Sequence, residues 1–350
     1  MRAAVFEQFG GVIEVRMVDD PTPPPDGVVI AVRANGICRS DWHGWVGHDQ
    51  SIALPHVPGH EMSGEVVAVG DDVVRVRVGD RVTAPFVLGC GRCDVCDAGH
   101  EHICPNQFQF GFTGWGSFAE YVALPYADRN VVRLLNGISY ETAAGLGCRF
   151  ATAFRAVVDQ AGVTEGTRVA VWGCGGVGLS AVMIASALDA EVIALDLSED
   201  ALALASEFGA SHTVLVDSDA SAVAAVRELT GGGADVSIDA LGSTATAVSS
   251  IGSLRPQGRH VQIGLMIGDD VRPEIPMWRL HAYEIELTGS HGMQAWRYPA
   301  MLAMIQDGSV DPSRLVTKTL DLDEGVAHLT AMDQYPGTGF VVINEFSAKN

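Results

Sequence analysis

The middle of the chain alternates between short apolar runs and longer mixed segments. Arg168–Trp172 is a short apolar run followed by glycine, which predicts a buried strand. Residues 179–188 form a longer, largely apolar segment, which predicts a helix, and Glu191–Asp196 predicts a second strand. A strand, a helix and a strand in this order are typical of a parallel sheet.

The alternation continues beyond this first unit. Further strands are predicted at residues 213–216, 235–239, 259–263 and 285–288, and further helices at residues 199–208, 220–229 and 244–254. Six strands separated by helices describe a doubly wound parallel sheet, which binds its ligand at the carboxyl ends of the strands.

The N-terminal part has another pattern. Its apolar stretches are short, residues 21–25 are rich in proline, and glycines recur between the stretches. These features are typical of a mostly β domain. The two patterns therefore predict two domains, which agrees with a length of 350 residues.

Composition narrows the class of protein. Hydrophobic residues make up 47% of the chain, which argues against disorder. The formal net charge of −21 argues against a nucleic-acid-binding protein, because such proteins normally carry an excess of positive charge. No signal peptide is visible, and the most apolar stretch, residues 169–197, is interrupted by glycines and acidic residues. We therefore expect a cytoplasmic protein without a membrane span.

The seven cysteines indicate metal chemistry rather than disulfides, because their number is odd and no export signal is visible. Four lie in one short segment, with two residues between the first three and seven before the last: Cys90, Cys93, Cys96 and Cys104. Four thiolates suit a tetrahedral zinc and leave no open position, so we predict a structural site. The alternatives are an iron–sulfur cluster, a ligand set that includes His100 or His102, and unrelated thiols.

A second zinc site can be assembled from Cys38, His60 and Cys148. Two thiolates and one imidazole leave a fourth position for water or substrate, which is the pattern of catalytic zinc. Residue types alone do not show that these three meet in the fold. By the same criterion, His60 fits a core histidine equally well.

A glycine-rich turn follows the first predicted strand of the parallel unit. It reads Gly173-Cys-Gly175-Gly176-Val177-Gly178, between a strand and a helix, which is the context of a dinucleotide-binding loop. Asp196 ends the next strand, 18 residues after Gly178, where a carboxylate binds the adenosine ribose. A carboxylate there repels a 2′-phosphate, which favours NAD over NADP. The alternative for Asp196 is an ordinary helix cap.

Five ordered motifs make the chain similar to a known family. They are Cys38-Arg-Ser-Asp-Trp-His43, Gly59-His-Glu61, the four-cysteine segment, Cys148 and the glycine turn at residues 173–178. Over essentially its whole length the chain resembles the zinc-containing alcohol dehydrogenases of the medium-chain dehydrogenase/reductase superfamily. The resemblance implies an α/β protein with a GroES-like β-rich catalytic domain at residues 1–149 and a Rossmann NAD-binding domain at residues 150–287. Residues 288–350 then return to the catalytic domain.

The resemblance also implies a catalytic zinc in addition to the structural one. Cys38, His60 and Cys148 are its implied ligands, with water or substrate oxygen in fourth place. Glu61 stands where the family has a carboxylate near the metal, and Asp41 where a carboxylate holds the zinc-bound histidine. Zinc lowers the pKa of the alcohol, and a hydride passes to the nicotinamide.

Further roles follow from the same resemblance. Ser40 is the implied first hydroxyl of a proton relay and His43 its outer base. Arg39 is the implied contact to the pyrophosphate. Aromatic residues near these motifs are expected to line the substrate cleft and to favour apolar or aryl alcohols. They are Trp42, Phe86 and Trp115.

Two departures from the family bear on cofactor binding. A basic residue often follows the acidic strand end, where this chain has Ala201 and Leu202. A cation often precedes the last strand, where this chain reads Gly339-Phe340.

Cys148 favours simple alcohols, because polyol and threonine dehydrogenases commonly have glutamate at that position.

The expected function is therefore zinc- and NAD-dependent oxidation of a primary or secondary alcohol to an aldehyde or ketone, by a homodimer or homotetramer. One alternative is a polyol, amino-alcohol or formaldehyde dehydrogenase of the same superfamily. The other is a catalytically silent nucleotide-binding protein. The chain keeps a full set of implied catalytic residues, which argues against a catalytically silent protein: Cys38, Ser40, His43, His60 and Cys148.

Overall fold

The computed structural model describes residues 1–334 and 337–347 of the chain. Contacts divide it into two compact units. The first contains Met1–Ala151, Gly292–Gln306 and Asp311–Asn350, and the second contains Thr152–His291 and Asp307–Val310. The domain boundaries expected after residues 149 and 287 stay a prediction. Among the described residues, no helix combines the length and the apolar character needed to cross a bilayer.

Strands and helices alternate along most of the described chain. The strands are β1 (Arg2–Phe6), β2 (Ile13–Met17), β3 (Val28–Ile37), β4 (Met62–Val69), β5 (Arg81–Thr83), β6 (Val87–Leu88), β7 (Phe108–Gln109), β8 (Tyr121–Leu124), β9 (Val132–Arg133), β10 (Arg168–Trp172), β11 (Glu191–Asp196), β12 (His212–Leu215), β13 (Ala234–Asp239), β14 (Leu254–Gln262), β15 (Glu286–Gly289), β16 (Val316–Asp321) and β17 (Phe340–Glu345). The α-helices are α1 (Arg39–Trp45), α2 (Asp94–Asp97), α3 (Ala127–Asn130), α4 (Tyr140–Ala144), α5 (Arg149–Phe154), α6 (Gly176–Ala187), α7 (Glu199–Glu207), α8 (Asp219–Leu229), α9 (Thr244–Gly252), α10 (Met277–Tyr283), α11 (Tyr298–Gln306) and α12 (Leu322–Thr330).

The first unit is built on a seven-stranded sheet. Its order is β16-β17-β3-β4-β5-β9, and β8 pairs with the first half of β3. All of these pairs are antiparallel except β16 with β17, which are parallel. β3 is the central strand, and nine of its ten residues are buried. β17 pairs with the end of β3, where Val342 lies opposite Gly36, so the last strand reaches the point at which Cys38 follows.

The second unit is a six-stranded parallel sheet, as the alternating pattern predicts. Its strand order is β12-β11-β10-β13-β14-β15, with the crossover helices between the strands. The predicted Rossmann fold class is thereby confirmed. β10 and α6 are both largely apolar and buried, because a central parallel strand and the helix that packs on it are covered on most sides. The chain turns from β10 into α6 beside the end of β11, which places the glycine turn next to Asp196.

Candidate active site

A single carboxylate joins the loops that carry Cys38 and His60. Cys38 follows the end of β3 and directly precedes α1. Asp41, in the first turn of α1, accepts the main-chain N–H of Cys38 through Oδ2 at 2.9 Å. Its Oδ1 accepts the N–H of Gly59 at 3.1 Å and lies 2.7 Å from Nδ1 of His60. Asp41 therefore fixes the end of β3 against the turn that precedes β4.

A cluster of four potential metal ligands lies at this junction. Its members contribute two sulfurs, one imidazole nitrogen and one carboxylate oxygen, all within 4.8 Å of one another: Cys38, His60, Glu61 and Cys148. The first three are buried and Cys148 is half-buried. Residue types alone do not show that Cys38, His60 and Cys148 meet in the fold. The structure places all three in one cluster with Glu61.

The hydrogen bonds of His60 prepare its ring for a metal. Asp41 accepts from Nδ1, so the lone pair of the neutral ring lies on Nε2. Nε2 is buried and has no hydrogen-bond partner among the described residues. That state is costly for a polar atom unless the atom binds something. Two sulfurs and one such nitrogen form a donor set that suits zinc, so the cluster fits the metal.

The two thiols of the cluster interact directly. The hydrogen bond from Cys148 lowers the pKa of Cys38 well below its usual range, in spite of burial. The same contact, together with burial, raises the pKa of Cys148 well above its usual range. One thiolate next to one thiol is the state that this pair favours, and a dication bound by both sulfurs would displace the remaining proton.

Glu61 is held by Arg149, the residue after Cys148. The main-chain N–H of Arg149 donates to Oε1 at 2.9 Å, Nε lies 2.9 Å from Oε1 and 3.0 Å from Oε2, and Nη2 also contacts Oε2. Both side chains are buried. Burial raises the pKa of Glu61, whereas Arg149 opposes this effect. Burial acts to lower the pKa of Arg149, but Glu61 raises it above its ordinary value.

The four cysteines expected to hold a structural zinc also lie together. Their sulfurs are within 4.8 Å of one another: Cys90, Cys93, Cys96 and Cys104. His100 and His102 do not belong to the group and instead pack ring against ring, 6.0 Å apart. Cys104 Sγ accepts the N–H groups of Cys90 at 3.5 Å and Asn106 at 3.3 Å, contacts that stabilise a thiolate. The arrangement fits a closed four-thiolate site.

Two aromatic rings lie beside His60. The ring centroid of Phe86 is 5.9 Å from that of His60, and the centroid of Phe112 is 5.1 Å away. The sequence predicts a place in the cleft for Phe86 but not for Phe112, which stands in a glycine-rich stretch with no periodic pattern. Trp115 is 40% exposed, and its indole N–H donates to the Pro55 carbonyl at 3.0 Å. Its place in the cleft stays a prediction.

Helix α1 carries the residues expected for the relay. Ser40 and His43 are half-buried on this helix. Trp42 packs between the guanidinium of Arg39, 4.3 Å from its ring, and the ring of His43, 5.1 Å away. Burial, followed by the charges of Arg39 and His48, lowers the pKa of His43 to about 4. His43 is therefore a neutral base at pH 7.

The turn after β10 depends on two of its glycines. Gly173 has φ +91, in the left-handed region that favours glycine. A Cβ at Gly178 would collide with the carbonyl oxygen of Gly173. At Gly175 a Cβ would meet nothing within 4 Å, so space is open over the turn. The turn opens into α6 at Gly176, and the first amides of that helix are suited to a phosphate.

Each oxygen of the Asp196 carboxylate accepts a main-chain N–H group. Oδ2 accepts the N–H of Cys174 at 2.6 Å, and Oδ1 accepts the N–H of Ser198 at 2.9 Å. The cap of α7 is Ser198, which accepts from Ala201, so the interpretation of Asp196 as an ordinary helix cap is wrong. The carboxylate joins the glycine turn to the end of β11 and retains lone pairs for a further donor.

Comparisons with known proteins agree on one family. The family description "Alcohol dehydrogenase GroES-like domain" matches residues 24–136, and "Zinc-binding dehydrogenase" matches residues 176–307. The chain is 31% identical over 353 residues to an NAD-dependent alcohol dehydrogenase of Sulfurisphaera tokodaii, with 98% of this chain and 99% of that protein covered. It is 32% identical over 334 residues to a sorbitol dehydrogenase of Halalkalibacterium halodurans, with 93% and 94% covered. The crystal structure of an NAD-dependent alcohol dehydrogenase matches with a TM-score of 0.89 at 32% identity, over 98% of this chain and 99% of that one.

Proposed function

The chain belongs to the zinc-type alcohol dehydrogenase family, and on that premise we propose that it transfers a hydride between a primary or secondary alcohol and NAD. The product is an aldehyde or a ketone, and the reaction is reversible. The proposal assigns two zinc ions to each chain. Cys38, His60 and Cys148 hold the catalytic ion, and the four-cysteine segment holds the structural one.

The observation that carries this proposal is the free nitrogen of His60. Most buried side-chain nitrogens have a hydrogen-bond partner. Here Nδ1 is taken by Asp41, and Nε2 is left without a partner beside the Cys38 and Cys148 sulfurs. Zinc at this position supplies a Lewis acid that lowers the pKa of an alcohol hydroxyl.

The residues of the chain provide orientation and proton transfer. Asp41 fixes the His60 ring, and its charge strengthens the imidazole as a ligand. Ser40 accepts the proton of the alcohol hydroxyl, and His43, neutral at pH 7, receives it further out. Phe86 presents an apolar ring next to His60 and so favours an alcohol with an apolar or aryl group.

For the cofactor we propose the glycine turn, Asp196 and Arg39. The first amides of α6 bind the pyrophosphate, and the guanidinium of Arg39 adds positive charge. The Asp196 carboxylate, already oriented by two backbone N–H groups, binds the adenosine ribose and repels a 2′-phosphate. The NAD-dependent relative from Sulfurisphaera tokodaii supports the preference for NAD over NADP.

We also propose a homodimer or homotetramer in the cytoplasm, joined through the edge of the parallel sheet. β15 lies at that edge, and an edge strand can pair with a second copy. The preceding helix α10 exposes Met277 and Trp278, at 64% and 65%, which suits an interface. Light scattering tests this proposal, since a measured mass of 36.9 kDa would correspond to a monomer.

The first experiment is a rate assay with a panel of primary, secondary and aryl alcohols. NAD and NADP are compared side by side, before and after zinc is removed with a chelator. We expect turnover that prefers NAD, is lost with zinc and returns when zinc is added back. Elemental analysis should give two zinc ions per chain. No turnover with any alcohol by zinc-loaded protein would exclude the proposed reaction.

A second candidate, polyol oxidation, is favoured by the relative named sorbitol dehydrogenase at 32% identity. The two apolar rings beside His60 argue for less polar substrates. Sorbitol and related polyols in the same panel separate the candidates. A kcat/KM for sorbitol above that for every simple alcohol would replace the first proposal by the second.

A further inference from the structure

The candidate catalytic cluster contains one ligand too many for an open zinc site. Cys38, His60, Glu61 and Cys148 each offer an atom within 4.8 Å of the others. Four protein ligands close a tetrahedral zinc, whereas catalysis needs one position for water or substrate. Some feature of the chain must therefore decide whether the Glu61 carboxylate binds the metal.

Arg149 occupies both oxygens of that carboxylate. Its main-chain N–H and Nε donate to Oε1 at 2.9 Å each, and Nε and Nη2 donate to Oε2. A planar guanidinium that engages both oxygens of a carboxylate makes a strong and directional pair. For Glu61 to coordinate a metal, at least one of these oxygens must leave Arg149.

The surroundings hold the guanidinium in place. The ring of Phe340 lies 4.0 Å from it, and Nη1 points to the carbonyl oxygen of Gly339 at 3.5 Å. Gly36 gives the pair its room, because a Cβ there would collide with both Glu61 Oε2 and Arg149 Nη2. Gly36 of β3 and Phe340 of β17, two strands paired in the same sheet, thus both border the ion pair.

The charges of the proposed zinc ligands also favour a Glu61 carboxylate that stays away from the metal. Two thiolates neutralise a zinc dication, and a third anionic ligand makes the centre negative and a weaker Lewis acid. The guanidinium of Arg149 neutralises the Glu61 carboxylate, so the carboxylate does not need the metal as its positive partner. We propose that Arg149 is a positioning residue that keeps Glu61 out of the metal's coordination sphere and so preserves an open position. This inference rests on the proposed function, since it requires the metal at Cys38, His60 and Cys148.

The test uses the full chain with cobalt(II) in place of zinc. The visible absorption of cobalt reports its coordination, and imidazole is the probe, because it binds only where a position is open. The four-thiolate site is closed and does not respond. In Arg149→Gln the released carboxylate competes with imidazole, and we expect the half-saturating imidazole concentration to rise by about tenfold or more.

Three further variants make the comparison sharp. Glu61→Gln combined with Arg149→Gln removes the competing carboxylate, and we expect its imidazole affinity to return to the wild-type value. Arg149→Lys keeps the charge but not the paired hydrogen bonds, so an intermediate affinity is expected, and it serves if Arg149→Gln does not fold. Arg168→Gln is the matched control, because it breaks an ion pair with Asp235 in the second unit. Its imidazole affinity should not change.

The outcomes separate this inference from the proposed function. If the wild-type cobalt protein shows no response to imidazole, it has no open metal position, and both fail. If the wild type responds, and Arg149→Gln and Arg149→Lys respond at the same concentration, only the role of Arg149 is overturned. An affinity that stays low in the double variant also overturns it, because Glu61 is then not the competitor.

Discussion

The Nδ1 atoms of His43 and His48 lie 3.0 Å apart, at hydrogen-bond distance. One of the two nitrogens must therefore carry a proton while the other offers a lone pair. The turn that ends α1 sets this distance, since the main-chain N–H of His48 donates to the carbonyl of His43 at 2.9 Å. His43 is half-buried and His48 is exposed, so the pair leads from the interior of the unit to solvent.

We predict that His48 passes protons between His43 and solvent. Burial lowers the pKa of His43 to about 4, so a proton that arrives there at neutral pH is released again quickly. His48→Gln removes the neighbouring acceptor, and kcat/KM for alcohol oxidation at pH 7 should fall by about tenfold. Initial rates measured at several phosphate concentrations test this, because a small buffer base replaces a missing relay.

His281→Gln is the matched control, since it removes an exposed histidine from α10 in the second unit. Its rate should equal that of the wild type at every phosphate concentration. A loss in His48→Gln that phosphate does not restore would indicate a loosened turn rather than a missing proton acceptor, and would contradict the relay.

The parallel sheet could be predicted closely because its strands are buried on both faces and read as uninterrupted apolar runs. The predicted bounds of β10 and β11 are those of the structure. β14 was predicted five residues late, from 259 rather than Leu254. Its first half contains Pro256 and Gly258, which are typical turn residues, and an irregular register accommodates them there.

The candidate metal ligands could be predicted because zinc accepts few residue types and the motifs resemble those of a family. Arg149 could not, because its contact with Glu61 joins residues 88 positions apart and leaves no periodic trace. The sequence lacks a cation just before the last strand. In the structure, Nη1 of Arg149 lies 3.5 Å from the carbonyl oxygen of Gly339 in that region, so α5 supplies a positive charge there.

A second prediction concerns Asp41, which binds both the His60 ring and the Cys38 main chain. Asp41→Asn can still accept one N–H but offers no charged partner to Nδ1 of His60. Affinity for the proposed catalytic zinc should fall by about 10–100-fold. Zinc release to a chromogenic chelator measures this. Asp128→Asn is the control, since its carboxylate accepts the N–H groups of Val74 and Arg75, and equal release from both variants would contradict the role of Asp41.

A third prediction concerns cofactor choice at Asp196. Asp196→Asn removes the charge but keeps an oxygen that can accept from Cys174 or Ser198. Loss of repulsion toward a 2′-phosphate should lower the ratio of kcat/KM with NAD to that with NADP by about tenfold or more. Asp200→Asn, in the first turn of α7, is the control. If both variants keep the wild-type ratio, Asp196 does not discriminate between the cofactors.

The fourth prediction concerns stability and pH in the second unit. Asp235 accepts the N–H and Nε of Arg168, both at 2.9 Å, and also pairs with Arg255. Burial acts to raise the pKa of Asp235, but the hydrogen bonds from these arginines hold it well below its usual range. The unfolded chain therefore binds this proton at a higher pH than the folded one does. The stabilisation is complete above about pH 4 and is lost as the pH falls further.

Asp235→Asn should lower the free energy of unfolding at pH 7 by about 1–3 kcal/mol, because two arginines lose a charged acceptor. The gap between wild type and variant should narrow as the pH falls below about 4, since Asp235 then takes up a proton in the unfolded wild-type chain while it stays ionised in the folded one. Urea unfolding at pH 7, 4 and 3 measures both quantities. Glu165→Gln, an exposed acid before β10, controls for the loss of one negative charge and should shift stability little. If the difference in free energy of unfolding between wild type and Asp235→Asn stays constant across this range, the charge of the carboxylate does not stabilise the sheet. Packing around the side chain would then account for the stabilisation.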